Sequence, residues 1–253
     1  RGQGLCYYIE SILGDPSEGA KVVFEGDGRV TIYVGTQSNG QGHETVFPQL
    51  VSEILGVPYD AVDIVSGDSD VVGIGGGSHS DRSMRIGGIV MREASDKVIE
   101  KGREIAVDLL EAAAEDITFT DGVYRVTGTD KSIGLFDVAG RAEEGRISAD
   151  SLFRGRSAAY PTGAAVSEIE IDPDTGALTV YAHSTVDDPG RAINPMILAG
   201  QAHGSIVQGI GQAIIENGHY DPESGQLIAG SFMDYGLLRA DDVPYFNAGL
   251  HEV

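Results

Sequence analysis

Two glycine-rich stretches carry the side chains best suited to binding an anion. The longer stretch, residues 67–88, combines four clustered glycines, three serine hydroxyls and one arginine: Gly73, Gly75, Gly76, Gly77, Ser78, Ser80, Ser83 and Arg82. Glycines let a backbone turn its N–H groups inward, and hydroxyl and guanidinium donors can complete a site for phosphate or another oxyanion. A flexible surface loop would have a similar composition, so both interpretations stand for this stretch alone.

The second stretch, GTQSNGQGHET at residues 35–45, favours the interpretation as a binding site. Each stretch follows a predicted strand and precedes a predicted helix, whose N-terminus adds positive potential. The two loops could therefore face each other across one site.

Hydrophobic periodicity predicts the elements that must position these loops. Strands are predicted at residues 5–10, 21–25, 30–34, 61–65, 117–126 (a hairpin), 166–171 and 178–182. Helical spacing predicts a helix that begins near Thr45 and ends at Gly56, with Pro48 in its first turn. A long helix follows Arg82, and another around residues 206–214 is expected to end at Gly218.

The chain is predicted to form two units, residues 1–145 and residues 156–253, because the polar stretch 143–155 is the best candidate boundary. The turn sequences DPDTG (residues 172–176) and DPESG (residues 221–225) both separate apolar runs. This weak internal similarity is compatible with a shared ancestry of the two units.

Composition restricts the functional classes. The formal net charge of −22 argues against binding to nucleic acid or to an anionic membrane surface, and any anionic cofactor must be held by local donors. The single cysteine, Cys6, lies in an apolar run and is predicted to be buried and inert. Neither a signal peptide nor a membrane-spanning run is recognisable, so a cytoplasmic protein is expected.

Several standard catalytic patterns are absent. Ser78 occupies the last glycine position of a dinucleotide-binding G-x-G-x-x-G pattern, and Ser80 does the same in a hydrolase G-x-S-x-G pattern. The histidines lack metal-ligand spacing, and most are expected to be surface or packing residues. No catalytic residue and no protein ligand for a metal are therefore predicted.

A series of longer motifs resembles one enzyme family in order along the chain. The motifs are GQGHET (residues 40–45), GGGSHSDRSM (75–84), VSEIEIDPDTG (166–176), INP (193–195) and GQAHGSIVQGIGQA (200–213). Together they are similar to the molybdopterin-binding large subunits of the xanthine dehydrogenase/aldehyde oxidase family, in particular the carbon monoxide dehydrogenase-like branch. The resemblance implies an α+β fold of repeated mixed β-sheet units with packed helices.

The resemblance also implies a molybdenum–molybdopterin cofactor, in this branch often the cytosine dinucleotide form. Carried over by position, Gly40, Gln41 and Gly42 would contact the pterin or its phosphate. In the same way Ser78, Ser80 and Arg82 would hold the pyrophosphate and nucleotide, and Gln201 would approach the molybdenum–pterin end.

For the intact protein, the resemblance implies a molybdenum-dependent oxidoreductase that acts on a small molecule, with FAD-binding and 2Fe–2S subunits or domains as partners. The substrate loop of this family precedes the matched segment and its catalytic glutamate follows it, so the segment alone is expected to be inactive and to lack cofactor. Two alternatives remain: a module that binds a nucleotide or anion without redox chemistry, and a degenerate homologue with a structural role.

Overall fold

The computed structural model describes residues 1–11, 14–156 and 158–253. The strands are β1 (Gly2–Ile9), β2 (Ser17–Glu25), β3 (Val30–Val34), β4 (Val62–Ser66), β5 (Ile117–Thr120), β6 (Val123–Val126), β7 (Ser132–Gly134), β8 (Arg146–Arg154), β9 (Thr162–Ile171), β10 (Leu178–Asp188) and β11 (Asn247–Leu250). The α-helices are α1 (His43–Leu55), α2 (Gly88–Leu110), α3 (Leu135–Arg141) and α4 (Pro195–Ile214), and a π-helical turn, Ser83–Gly87, leads into α2. Contacts divide the chain into unit I (residues 11–159) and unit II (residues 1–10 and 160–253).

Unit I is built on a mixed four-stranded sheet in the order β4-β3-β2-β8. Strands β2 and β3 form an antiparallel hairpin around Asp27 and Gly28, and β3 pairs in parallel with β4. Because parallel neighbours need a crossover connection, the chain passes through α1 between them. A second sheet, β5-β6-β7, completes this unit.

The hydrophobic core of unit I lies between its main sheet and the two long helices. Alternate residues of β3, such as Ile32, are fully buried together with Phe24 of β2. Phe47 of α1 and Val90 of α2 belong to the same core cluster. The period-two and helical patterns in the sequence therefore face one common core.

Two helix predictions need correction in detail. Helix α1 begins at His43, so Pro48 lies in the second turn, where its missing N–H removes one intrahelical hydrogen bond. Gly56 ends α1 as predicted, with a left-handed φ of 64°. Gly218 does not end α4, since that helix already stops at Ile214.

Unit II repeats the main topology of unit I. Its sheet has the order β1-β9-β10-β11; β9 and β10 form an antiparallel hairpin, and β10 pairs in parallel with β11 after the chain has passed through α4. In each unit a further strand, β8 or β1, pairs antiparallel with the first strand of the hairpin. This confirms the expected α+β fold of repeated mixed sheets.

The structure divides the chain differently from the sequence prediction at two places. Residues 146–154 form strand β8, which pairs with β2, and alternating burial of Ile147 and Ala149 explains why this stretch is a strand. Residues 1–10 belong to unit II, because β1 pairs with β9. Cys6 lies on β1 and is exposed, which corrects its predicted burial.

None of the helices in the described residues combines the length and apolar character of a transmembrane span.

Candidate functional site

The loop between β3 and α1 leaves the start of that helix without a capping side chain. Gly42, the N-cap residue, has a left-handed φ of 86°, and Gly40 has a φ of 100°. Glycine adopts these angles at little cost, and a glycine N-cap brings no side-chain oxygen to the first helical N–H groups. The turn at Gly40 is also open, because a Cβ built there meets nothing within 4 Å.

Glu44 is the acidic group nearest to this helix start. The hydrogen bond from its own backbone N–H, followed by one from the Ser38 hydroxyl at 2.9 Å, holds the pKa of Glu44 below its usual value. A carboxylate in the first helical turn is stabilised by the helix dipole. The exposed Glu44 side chain therefore marks the position at which this helix end favours negative charge.

A chain of hydrogen bonds joins the two glycine-rich loops. The amide Nε2 of Gln41 donates to Ser78 Oγ at 2.6 Å, Ser78 Oγ lies 3.0 Å from Ser83 Oγ, and Ser83 Oγ lies 2.8 Å from Thr36 Oγ1. Thr36 is fully buried, whereas Gln41, Ser78 and Ser83 are partly exposed. The expectation that the loops face each other is thus confirmed, and their polar side chains converge at Ser78.

Arg82 is directed into the protein. Its guanidinium has no exposed surface and pairs with the equally buried Glu18 at 2.6 Å. It also donates to the carbonyl oxygens of Asp15, Ser17 and Gly77 at 3.1, 2.6 and 2.5 Å, respectively. Glu18 in turn accepts from the N–H of Gly76 at 3.3 Å, so the ion pair anchors the second loop to the start of β2.

The glycines around this ion pair are needed for close packing. A Cβ on Gly35 would lie 2.4 Å from Glu18 Oε1 and 2.5 Å from the Cα of Gly75. A Cβ on Gly76 would lie 2.5 Å from the Arg82 guanidinium carbon. These three glycines bring the loops together around Glu18 and Arg82, whereas Gly40 faces open space.

Ser80 stands apart from the hydroxyl chain. It is exposed, has a left-handed φ of 50°, and its hydroxyl lies 3.2 Å from His79 Nδ1. Asp81 follows with a φ of 55°, which is also uncommon for a residue with a side chain. Two such residues in succession are typical of loops whose conformation is held by their surroundings.

Gln201 belongs to the other unit. It lies on α4, in the part of that helix where Gly200 and Gly204 have nothing within 4 Å of an added Cβ, and its side chain is exposed. The structure thus brings Gly40, Gln41, Gly42 and Ser78 together within unit I and places Gln201 on a separate glycine-rich helix.

His43 is a candidate that the sequence prediction missed. It follows Gly42 directly, and its ring is only 5% exposed and stacks on Phe47 with centroids 4.3 Å apart. Its Nδ1 atom is buried without a hydrogen-bond partner. Burial lowers the pKa of His43, so the neutral ring is favoured. The feature of the sequence that could have identified His43 is its position directly between a glycine turn and a helix.

No group of three or more His, Cys, Asp or Glu side chains in residues 1–11, 14–156 and 158–253 is arranged to hold a metal ion.

Comparison with known proteins places these loops in one family. The family model for the molybdopterin cofactor-binding domain matches residues 1–244 of this chain. The gamma subunit of the 6-hydroxypseudooxynicotine dehydrogenase complex of Paenarthrobacter nicotinovorans is 41% identical over 226 residues, which cover 86% of this chain and 28% of that protein. The carbon monoxide dehydrogenase large chain of Afipia carboxidovorans is 29% identical, over 96% of this chain and 32% of its own length.

Solved structures agree with this assignment. A crystal structure of Cu,Mo-CO dehydrogenase matches all of the chain with a TM-score of 0.91 and 28% identity, using 34% of its own length. Quinoline 2-oxidoreductase from Pseudomonas putida 86 matches all of it with a TM-score of 0.88 and 30% identity, using 35% of its length. The chain spans about a third of the length of these relatives, and it belongs to the family of molybdopterin cofactor-binding domains.

Proposed function

We propose that this chain is the cofactor-binding part of the large subunit of a molybdenum-dependent oxidoreductase, and that its two loops hold a molybdopterin. The observation that carries the proposal is the junction of the loops at Gln41 and Ser78, next to the uncapped N-terminus of α1. When bound, the cofactor supplies the molybdenum redox centre, and the protein supplies binding and orientation.

The residues of unit I fit the phosphate-bearing part of such a cofactor. A helix N-terminus without a capping side chain favours an anion, and the hydroxyl of Ser78, a partly exposed residue, can donate to a phosphate oxygen. The open turn at Gly40 lets a ligand approach the backbone closely. The buried, unpartnered nitrogen of His43 adds a polar atom at the same helix end.

In this proposal Gly40, Gln41 and Gly42 contact the pterin or its phosphate, and the serine hydroxyls Ser78 and Ser80 face the pyrophosphate and nucleotide. Gln201, on α4 of unit II, is the residue that the resemblance assigns to the molybdenum–pterin end of the cofactor.

Arg82 acts indirectly, by holding the second loop in place. Its donors already go to Glu18 and to carbonyl oxygens of the protein. This role differs from the direct contact that the family resemblance implies.

The proposal also includes the cytosine dinucleotide form of the cofactor, a small-molecule substrate, and partner subunits with flavin and 2Fe–2S groups. Several relatives are named as single subunits or chains of larger enzymes, which supports an assembly. Co-purification of the full-length protein with flavin- and iron-containing subunits would test this part.

The deciding experiment is metal and nucleotide analysis of the full-length protein purified from its own host. We expect molybdenum and releasable cytidine nucleotide in equal amounts, stoichiometric with the polypeptide. Molybdenum with a different nucleotide, or with none, would support the cofactor and correct its form. Folded protein that carries neither molybdenum nor a pterin, after expression in a host able to make the cofactor, would refute the proposal in favour of a non-redox binding module or a structural homologue.

A further inference from the structure

His43 has a polar atom that the protein itself does not use. Its ring is 5% exposed and lies against the ring of Phe47 at 22° between the planes. Nδ1 has no hydrogen-bond partner, although buried polar atoms in folded proteins are nearly always paired. A folded chain that keeps such an atom loses stability unless a water molecule or a ligand satisfies it.

The place of His43 in the fold points to a ligand. It is the first residue of α1 and follows Gly42, whose left-handed backbone leaves the helix start without a capping side chain. In an α-helix the Cα–Cβ bonds tilt toward the N-terminus, so a first-turn side chain lies at that end of the helix. His43 and the open turn at Gly40 therefore lie at the same end of α1.

The His43 ring can form a hydrogen bond to a ligand in its uncharged state. Burial favours the uncharged imidazole, and the nearby Glu44 carboxylate opposes this only in part. A neutral imidazole has one donor nitrogen and one acceptor nitrogen. Nδ1 can thus donate to a phosphate oxygen, the group that a helix N-terminus favours.

We propose that His43 is a further cofactor contact, and that its Nδ1 forms a hydrogen bond with a phosphate oxygen of the molybdopterin held at the Gly40–Gly42 turn. This inference rests on the proposed function. It assigns a role to a side chain that was not among the residues carried over by position, and it accounts for a buried nitrogen that no protein atom satisfies.

Three substitutions in the full-length protein, purified from its host, test the role of Nδ1. His43→Phe keeps the stack on Phe47 and removes both nitrogens. His43→Asn places an amide near the former Nδ1, whereas His43→Gln places it near the former Nε2. His219→Phe, at an exposed histidine of unit II, is the matched control.

Molybdenum and nucleotide content per polypeptide is one measurement, and the melting temperature of protein made without cofactor is the other. We expect His43→Phe to lower cofactor content about three- to tenfold, the loss that one neutral hydrogen bond would give. The same variant should keep or raise the melting temperature of the cofactor-free protein, because it removes an unpaired buried nitrogen. Asn should restore cofactor content and Gln should not.

Wild-type cofactor content in His43→Phe would overturn the inference, since a water molecule would then satisfy Nδ1. A lower melting temperature in all three cofactor-free variants, with no recovery of cofactor by Asn, would also overturn it and assign a packing role. If the wild-type protein itself carries neither molybdenum nor pterin, the proposed function fails, and the inference fails with it.

Discussion

Unit I and unit II have the same topology, but the N-terminus of the crossover helix is built differently in each. In both units a β-hairpin is followed by a helix and a parallel strand. In unit II the side chain of Asn194 accepts from the N–H of Ile197 at 3.1 Å, and Pro195 occupies the first helical turn. In unit I glycine stands at the N-cap and provides no such group. The same topology thus contains one helix whose N-cap side chain accepts a first-turn N–H and one helix whose N-cap residue is glycine.

The two units also differ in how their charges are held. Unit I contains the fully buried pair of Glu18 and Arg82, whereas Arg1 and Glu170 of unit II form a pair with side chains 59% and 50% exposed. A buried charge depends on its partner much more than an exposed one does. Loss of either partner of the buried pair would therefore leave the other charge buried without its counter-ion.

The largest expected effect comes from breaking the buried pair. Arg82→Met leaves the Glu18 carboxylate buried and unpaired, which should lower the free energy of unfolding by about 3–5 kcal/mol. Denaturant unfolding of the variant measures this loss. Arg1→Met is the control in unit II and should leave the unfolding midpoint unchanged, because its ion pair is exposed. Equal effects of the two substitutions would contradict the contrast between the units.

The next effect compares a closely packed glycine of unit I with a glycine of α4 that has open space around it. Gly35→Ala places a Cβ 2.4 Å from Glu18 Oε1, and the resulting overpacking should cost about 1–3 kcal/mol of stability. Gly204→Ala, on α4 with nothing within 4 Å, should raise helix stability by about 0.5–1 kcal/mol. Thermal unfolding of the two variants should shift in opposite directions; a stabilising Gly35→Ala would show that the loops pack less closely than described.

A smaller effect is expected at the capped helix of unit II. Asn194→Ala removes the acceptor for the N–H of Ile197 and should cost about 1 kcal/mol. Hydrogen exchange of the first-turn amides of α4 would localise the change. Asn194→Gly, which keeps a tolerated N-cap residue, should cost only a few tenths of a kcal/mol. Unchanged stability in Asn194→Ala would show that the side-chain cap does not stabilise α4.

A change of similar size should come from the link between the loops. Gln41→Met preserves length and removes the donor to Ser78, which should lower stability by about 0.5–1.5 kcal/mol. In the full-length protein we also expect a lower molybdenum content, since Ser78 loses the partner that orients it. Gln212→Met, at an exposed position of α4, is the control and should change neither property. Normal molybdenum content in Gln41→Met would remove Gln41 from the proposed site.

Local patterns in the sequence predicted most elements of the fold. Alternation identified β3, and the turn residues 172–176 identified the hairpin between β9 and β10. Strand β8 was missed because its buried residues include only Ile147, Ala149 and Ser151, of which one is strongly apolar. The pairing of β1 with β9 joins residues more than 150 positions apart, and no local pattern specifies such a pairing.

The site was predicted less completely than the fold. Both loops and the contact between them followed from glycine and hydroxyl content. The direction of Arg82 did not, because it depends on Glu18, which lies 64 positions away on β2. A guanidinium near a glycine loop is equally compatible with binding a ligand and with anchoring the loop, and only the position of its carboxylate partner distinguishes the two.

In the hydroxyl chain between the loops, the direction of each hydrogen bond depends on the direction of its neighbour. The Gln41 amide donates to Ser78, so Ser78 has one hydrogen to give, either to Ser83 or to a bound acceptor. When an acceptor takes that hydrogen, Ser83 can donate to Ser78 and Thr36 can donate to Ser83. Either hydroxyl of the Ser78–Ser83 and Ser83–Thr36 pairs can be the donor, so an acceptor bound at Ser78 would set the direction of both hydrogen bonds as far as Thr36, which has no exposed surface. Thr36 would thereby carry the state of the site into the interior of unit I.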